Sequence, residues 1–202
     1  MKRLLDIVVA AAGLLLLSPL WLAVACAVKL TSSGSVLFRQ ERMGRRFRPF
    51  LICKFRTMIQ DAPRRGAQIT CGADPRITPV GRFLRKTKLD ELPQLFNVLN
   101  GEMSLVGPRP EVRRYVELFA GDYAEILEVR PGITDLASIK YRHEAEVLGR
   151  AADPEKEYAT RILPEKIRLA KEYVRRRSLW LDLVIIFKTI LALPANRTAE
   201  EP

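Results

Sequence analysis

One long apolar stretch near the start of the chain constrains its fold more than any other feature. It covers residues 7–28, with Met1-Lys2-Arg3 before it and Lys29 after it, and five arginines follow: Arg39, Arg42, Arg45, Arg46 and Arg48. Positive charge beside a membrane segment favours the cytoplasmic side, and here both ends carry it. A straight span cannot place both ends on one side, whereas a hairpin that enters the membrane and returns can.

The middle of this stretch contains a helix-breaking pair, Ser18-Pro19. Pro19 has no N–H group, so the carbonyl oxygen of Leu15 would lose its helical partner. Ser18 can donate a hydrogen bond to the carbonyl of Leu14, which would partly offset the break at membrane depth. The pattern therefore favours a re-entrant helix–break–helix anchor over residues 1–30.

Two other interpretations of the apolar stretch stay open. About 22 residues form a helix of roughly 33 Å, which is long enough to cross a bilayer, and proline is tolerated in membrane helices. A cleaved signal peptide would need a small-residue cleavage site, and Ala23-Val24-Ala25-Cys26 is only a weak match. Either alternative would export a strongly basic domain.

The charge of the chain points to an anionic partner. Its 202 residues carry a formal net charge of +11 and a pI near 10.0, which suits nucleic acid, an anionic lipid surface or a phosphorylated substrate. Beside a membrane anchor the lipid surface is the simplest partner, and no nucleic-acid-binding motif is present. The length fits one domain over residues 31–197, followed by a short tail over residues 198–202.

Several kinds of site have no support in the sequence. Cys26, Cys53 and Cys71 form no C-x-x-C pair, so neither a disulfide framework nor a zinc site is indicated. His143 is the only histidine, which leaves no His-rich metal site and no Ser-His-Asp set to assemble. The phosphate-binding patterns G-x-x-x-x-G-K-S/T and G-x-G-x-x-G are also absent.

Local patterns predict an α+β domain that is mostly helical, with one small antiparallel strand pair. Residues 36–38 and 50–55 predict two strands joined by a basic turn around Gly44. Apolar spacing predicts a helix over residues 92–99, closed by Gly101. Further helices are predicted over residues 111–118 and 123–129, from Asp153-Pro154 to an interruption at Pro164, over residues 165–177, and over residues 179–193 as a core or interfacial helix.

Asp90 and Glu91 are the strongest candidates for chemistry. They lie among four basic residues, Arg82, Arg85, Lys86 and Lys88. Neighbouring helical residues point about 100° apart, so one carboxylate can act as a nucleophile or metal ligand while the other orients it. The structural alternative is that Asp90 caps the helix and Glu91 interacts with its dipole.

Basic residues in two other motifs suit phosphate binding. Arg109 stands between Pro108 and Pro110, so a stiff loop would present its guanidinium group to a phosphate. Lys54 and Arg56 alternate with an aromatic residue and would point to one side of a strand. A solvated turn arginine and an ordinary strand at a sheet rim explain these patterns equally well.

Four motifs occur in an order that is specific to one family. They are Lys54-Phe55-Arg56-Thr57-Met58, the run from Leu89 through Asp90-Glu91-Leu92-Pro93-Gln94 to Leu99, the run from Met103 to Gly107-Pro108-Arg109-Pro110, and Arg130-Pro131-Gly132-Ile133-Thr134. Through them the chain resembles the bacterial sugar transferase family, the monotopic phosphoglycosyl transferases, in its small single-domain form. The likeness extends from the Ser18-Pro19 anchor to residues 178–190.

The resemblance implies transfer of a phosphosugar from a UDP-sugar to polyprenyl phosphate, with release of UMP, at the cytoplasmic face of the bacterial inner membrane. It implies that Asp90 forms a covalent phosphosugar intermediate, that Glu91 is its catalytic partner, and that Mg²⁺ binds the diphosphate near Asp90. The anchor and the positive charge further predict interfacial amphipathic helices and contacts with membrane lipids. The implied substrate-binding residues are Lys54, Arg56, Arg85, Gln94, Arg109 and Arg142.

The chain departs from the family pattern after Thr134. Many members continue with Gly-Trp-Ala-Gln-Val-Asn-Gly-Arg, where this chain has Asp135-Leu136-Ala137-Ser138-Ile139-Lys140-Tyr141-Arg142. If these positions contact the UDP-sugar, this chain selects a different donor sugar from those members. Two rival functions are a glycosyl transferase that releases UDP and a basic membrane-surface adaptor without activity. Self-association through residues 179–193, as a homodimer, stays open.

Overall fold

The computed structural model describes residues 1–62, 70–72 and 74–192. Within these ranges the chain is mostly helical, as predicted. The helices are α1 Lys2–Leu16, α2 Ser18–Thr31, α3 Pro79–Thr87, α4 Gln94–Asn100, α5 Arg113–Leu118, α6 Ala120–Ile126, α7 Leu136–Lys140, α8 Glu144–Arg150, α9 Pro154–Glu157, α10 Leu163–Arg176 and α11 Leu179–Ala192. The strands are β1 Leu37–Met43, β2 Pro49–Phe55, β3 Ser104–Val106 and β4 Gly132–Thr134, with 3₁₀ turns at Arg45–Phe47 and Leu89–Glu91. The predicted tail and the predicted end of the last helix at Leu193 lie outside the described residues.

The N-terminal helices α1 and α2 meet at an angle of 64°. Ser18 Oγ donates to the carbonyl oxygen of Leu15 at 2.8 Å, which is the carbonyl that Pro19 leaves without a helical partner. The predicted acceptor, Leu14, was wrong by one residue. No described helix is by itself long and apolar enough to cross a membrane, and α1 and α2 meet that criterion only as a bent pair.

The predicted antiparallel hairpin is confirmed, but β1 extends to Met43, five residues beyond the predicted end at residue 38. β1 and β2 pair with Leu37 opposite Phe55 at the open end, and the turn Arg45–Phe47 joins them. This turn is fixed to the end of α6, because the N–H of Arg46 donates to the carbonyl of Leu127 at 2.7 Å. The hairpin is therefore tied to the helical part of the domain, and its strand β2 contacts the 3₁₀ turn before α4.

Helix α4 begins two residues later than its apolar spacing predicted. Pro93 occupies the N-cap position and no side-chain capping bond is made, so the alternative role of Asp90 as the N-cap is wrong. Gly101 closes the helix with φ of +84°, a left-handed conformation that favours glycine.

The helix predicted to start at Asp153-Pro154 does so, and Asp153 caps it through the N–H groups of Glu155 and Lys156. The irregularity that was assigned to Pro164 lies before that residue. A π-helical turn covers Tyr158–Ile162, and Pro164 stands in the first turn of α10, where a missing N–H costs little.

A second, parallel strand pair was not predicted. β3 and β4 pair with Ser104 opposite Gly132. A Cβ atom on Gly132 would lie 2.1 Å from the backbone nitrogen of Gly107, so this close approach requires glycine. The pair fixes the start of the loop that carries Arg109.

Both halves of the N-terminal helix pair contribute to the buried core. Ala10 of α1 packs with Ile52 and Val98. Val28 of α2 packs with Phe55. The largest buried cluster joins α5, α6, α8, the π-helical turn and α10 through Tyr115, Val116, Tyr123, Ile126, Leu148, Ile162, Leu163 and Ile167, among others.

Candidate active site

Three segments bring acidic and basic side chains together. Lys54 comes from β2, Asp90 and Glu91 come from the 3₁₀ turn before α4, and Arg109 comes from the loop after β3. These segments are far apart in sequence, and the long-range packing of the fold joins them.

Glu91 is the centre of an ion-pair cluster. Its Oε1 accepts from Lys54 Nζ at 2.9 Å and from Arg109 Nη2 at 2.6 Å, and its Oε2 accepts from Arg109 Nη1 at 3.4 Å. Glu91 is 9% exposed, so both cations face a carboxylate that is largely shielded from water. Glu91 thereby fixes two of the predicted phosphate-binding cations beside Asp90.

Asp90, by contrast, has no hydrogen-bond partner among the residues that the structure describes. It is 7% exposed, and its Oδ1 atom is buried. Because buried carboxylate oxygens normally accept hydrogen bonds, an unpartnered one requires an explanation. A free oxygen is what a nucleophile or a metal ligand needs.

The two adjacent carboxylates have opposite electrostatic environments. Burial raises the pKa of Asp90, although the positive charge of Lys54 acts to lower it. The negative charge of Glu91 raises this pKa further. Burial also acts to raise the pKa of Glu91, but Arg109 and Lys54 hold it well below its usual range. Glu91 is therefore a stable anion, whereas Asp90 is the more basic carboxylate, and such a separation is typical of divided chemical roles.

Further cations surround Asp90. The charges of Lys88 and Arg85 both favour its ionised form, and Arg85 is held by a hydrogen bond of 2.9 Å from its Nε to Thr57 Oγ1. Burial lowers the pKa of Arg85, and burial lowers the pKa of Lys54 although Glu91 opposes this shift. Several cations around one free carboxylate can neutralise the phosphates of a substrate.

Two predicted substrate-binding residues make their contacts elsewhere. Arg56 is buried, and its Nη2 donates to the backbone and hydroxyl oxygens of Ser32 at 2.8 and 2.7 Å. Arg142 is exposed, and its Nε donates to Nε2 of His143 at 3.0 Å. Among the described residues, neither arginine bonds to Asp90 or Glu91.

Gln94, another predicted substrate-binding residue, stands one helical turn after Asp90. It is fully buried, and neither its amide nitrogen nor its amide oxygen has a partner among the described parts of the chain. A buried amide without partners is costly. Its position beside Asp90 is compatible with a role in substrate binding, which stays a prediction.

Sequence reasoning missed Asn97, a residue that positions the site. Its Nδ2 donates to the carbonyl of Leu51 at 2.8 Å, and its Oδ1 accepts from the N–H of Cys53 at 3.0 Å. The amide group of Asn97 thus pairs with the free edge of β2 as a neighbouring strand would. This contact fixes α4 and the turn before it against the strand that carries Lys54.

The residues at this site fit a magnesium ion that is shared with a substrate. Mg²⁺ is typically held by one or two carboxylates together with substrate phosphates. Asp90 offers a buried oxygen without a hydrogen-bond partner, whereas both oxygens of Glu91 already accept hydrogen bonds from Lys54 or Arg109. The described residues contain no cluster of three acidic, histidine or cysteine ligands, so any such ion would depend on Asp90 and on substrate oxygens.

Comparison with known proteins identifies the family to which this chain is similar. The family model described as bacterial sugar transferase matches residues 1–195. The chain is 46% identical over 194 residues to a protein of Aeromonas hydrophila named UDP-N-acetylgalactosamine-undecaprenyl-phosphate N-acetylgalactosaminephosphotransferase, covering 94% of this chain and 42% of that protein.

Two further relatives extend this likeness. A UDP-glucose:undecaprenyl-phosphate glucose-1-phosphate transferase of Klebsiella pneumoniae is 43% identical, covering 98% of this chain and 41% of the relative. The exopolysaccharide production protein ExoY of Rhizobium meliloti (strain 1021) is 38% identical, covering 97% of this chain and 86% of the relative. The chain thus spans less than half the length of the first two relatives and most of the third.

Proposed function

The chain belongs to the bacterial sugar transferase family, and from this premise we propose that it transfers a phosphosugar from a UDP-sugar to polyprenyl phosphate and releases UMP. The names of two relatives describe transfer of a sugar phosphate to undecaprenyl phosphate. The observation that carries the proposal is a buried, unpartnered oxygen of Asp90 beside a glutamate that Lys54 and Arg109 hold as an anion.

The proposed reaction has two steps at the same phosphorus. In the first step an oxygen of Asp90 forms a bond to the sugar-bearing phosphorus, and the bond to the bridging oxygen breaks, so that UMP leaves with the electron pair. In the second step an oxygen of polyprenyl phosphate attacks that phosphorus, and Asp90 leaves as a carboxylate. Covalent catalysis lets one site serve the two substrates in turn.

The surrounding residues have separate tasks in this proposal. Glu91 holds Lys54 and Arg109 where they meet the phosphate oxygens, and Arg85 adds a third cation. Their charges stabilise the negative charge that the transferring group carries. Mg²⁺, when bound to the diphosphate and Asp90, would supply further charge neutralisation.

The product distinguishes this proposal from its rivals. Purified protein with polyprenyl phosphate, Mg²⁺ and a panel of donors that includes UDP-glucose and UDP-N-acetylgalactosamine is expected to release UMP and form a sugar–diphosphate lipid with one of them. Chromatography of the nucleotides gives the answer. Release of UDP would identify a glycosyl transferase, and no nucleotide release with any donor would support the adaptor.

We also propose that α1 and α2 form a re-entrant membrane hairpin ahead of a catalytic domain over residues 31–197. Near the start of α1, Asp6 accepts from Ser104 Oγ at 2.9 Å, and Arg3 donates to the carbonyl of Val98 at 2.6 Å. At the other end, Ser32 accepts two hydrogen bonds from Arg56. Both ends of the helix pair are thus bonded to one domain, which favours the same side of the membrane for both.

Reporter fusions test this topology. Alkaline phosphatase, which is active only in the periplasm, is expected to be inactive when fused to either end of the chain, whereas a cytoplasmic fluorescent reporter should work at both ends. A periplasmic signal from one end alone would indicate a plain span and contradict the hairpin.

The exposed face of α11 supports contact with the same membrane. Asp182 and Ile185 are buried on one face, whereas Trp180 is 75% exposed and Phe187 is 63% exposed. Large apolar side chains on an exposed helical face, in a protein with a membrane hairpin, suit the lipid headgroup region. The proposal places α11 there as an interfacial helix.

A further inference from the structure

One buried carboxylate outside the ion-pair cluster touches the loop that carries Arg109. Asp135 is 3% exposed and follows β4 directly. Its Oδ2 accepts from the backbone N–H of Arg109 at 3.0 Å, and its Oδ1 accepts from the N–H of Ser138 at 2.6 Å. A single side chain therefore joins the start of α7 to the middle of the Arg109 loop.

The contact lies where the backbone pairing of the two parallel strands ends. Gly107 N donates to the carbonyl of Thr134 at 3.1 Å, and Gly132 N donates to the carbonyl of Pro108 at 3.0 Å. Neither Pro108 nor Pro110 has an N–H group. The Arg109 N–H is therefore the only backbone donor between Gly107 and Glu111, and the carboxylate of Asp135 accepts it.

The position of the Arg109 backbone matters because its side chain is part of the site. The guanidinium group donates to both oxygens of Glu91, and a bidentate contact of this kind depends on geometry. A hydrogen bond from a backbone N–H to a carboxylate is among the stronger kinds. We propose that Asp135 is a positioning residue for Arg109, which it holds in the place where the guanidinium meets a donor phosphate.

This inference rests on the proposed function, and a matched pair of variants tests it. Asp135→Ser keeps a hydroxyl that can cap α7 but loses the second acceptor for Arg109. Asp153→Ser is the control, because Asp153 also caps a helix through two N–H groups but has no contact with Arg109 among the described residues. Asp135→Ser should lose more thermal stability than Asp153→Ser, because Asp135 is buried whereas Asp153 is exposed and because the N–H of Arg109 loses its acceptor.

The two variants should differ in donor use. Asp135→Ser is expected to lower kcat/KM for the UDP-sugar tenfold to hundredfold, which corresponds to the loss of one charge-assisted hydrogen bond, whereas Asp153→Ser keeps the wild-type value. In an Arg109→Lys background, Asp135→Ser should cause little further loss, because both changes act on the same contact. Equal kcat/KM for the two serine variants, or full additivity with Arg109→Lys, would overturn the proposal.

A second substitution keeps the test decisive if Asp135→Ser folds poorly. In Asp135→Asn the carbonyl oxygen can keep the helix cap, while the amide N–H group meets the N–H of Arg109. The expected result is the same loss in kcat/KM in a protein that folds but is less stable than the wild type, because one of the two donors loses its acceptor. Unchanged kcat/KM would contradict the positioning role. If the wild-type protein releases no UMP with any donor, the proposed function fails, and this outcome is distinct from a failure of the inference.

Discussion

Asp90→Asn is expected to reduce the release of UMP at least about 10⁴-fold, because an amide oxygen cannot replace the carboxylate as a nucleophile. Asparagine has nearly the same size and shape, so the packing of the 3₁₀ turn before α4 is retained. Turnover is measured by nucleotide release from the purified, lipid-reconstituted protein. Asp153→Asn, which keeps a helix cap at an exposed position, is the matched control and should retain wild-type activity.

The same substitution is expected to stabilise the folded protein at neutral pH. Burial raises the pKa of Asp90, so its ionisation is less favourable in the folded state than in the unfolded chain. The stabilisation by Asn should be absent well below the ordinary aspartate pKa of about 3.9 and should grow as pH rises through the raised pKa. Near-normal UMP release by a well-folded Asp90→Asn protein would contradict the role of Asp90.

Glu91→Gln is expected to destabilise the protein by about 3 kcal/mol, because it leaves Lys54 and Arg109 without their shared, mostly buried counter-ion. Denaturant or thermal unfolding measures the change. Glu41→Gln is the surface control, since the Glu41–Arg113 pair is about half exposed on both sides. Its expected effect is below about 1 kcal/mol.

The pH dependence of the Glu91→Gln effect has the opposite sign to that of Asp90→Asn. Arg109 and Lys54, acting against burial, lower the pKa of Glu91 in the folded protein. The stability that its charge contributes is therefore complete above the ordinary glutamate pKa of about 4.3 and is lost as pH falls through the lowered pKa. A Glu91→Gln effect that is equal at neutral and strongly acidic pH would show that the ion-pair cluster does not stabilise the fold.

The parts of the fold that local chemistry controls could be predicted from the sequence. The β1–β2 hairpin follows from two apolar runs around a turn, the end of α4 follows from Gly101, and the start of α9 follows from Asp153-Pro154. In each of these elements the deciding residues lie close together in the chain, so spacing alone carries the information.

The parts that depend on distant partners could not be predicted. The parallel pairing of β3 with β4 has no local signal, because each strand has three residues and the pair depends on the approach of Gly107 to Gly132. Arg56 alternates with Phe55 as a strand residue should, yet its partner is Ser32 at the end of the helix pair. Asn97 and Asp135 position the site through contacts with segments that only the folded chain brings near them.

In the proposed reaction Asp90 carries the phosphosugar between the two substrates. Mass spectrometry of the protein after incubation with a UDP-sugar and Mg²⁺, without polyprenyl phosphate, detects this intermediate. We expect the intact protein to gain the mass of one phosphosugar, which digestion assigns to the peptide that contains Asp90. One equivalent of UMP should accompany the adduct, and adding polyprenyl phosphate should remove it. The contradicting result is a protein that shows neither the adduct nor UMP release with the donor alone, yet forms the sugar lipid once polyprenyl phosphate is supplied.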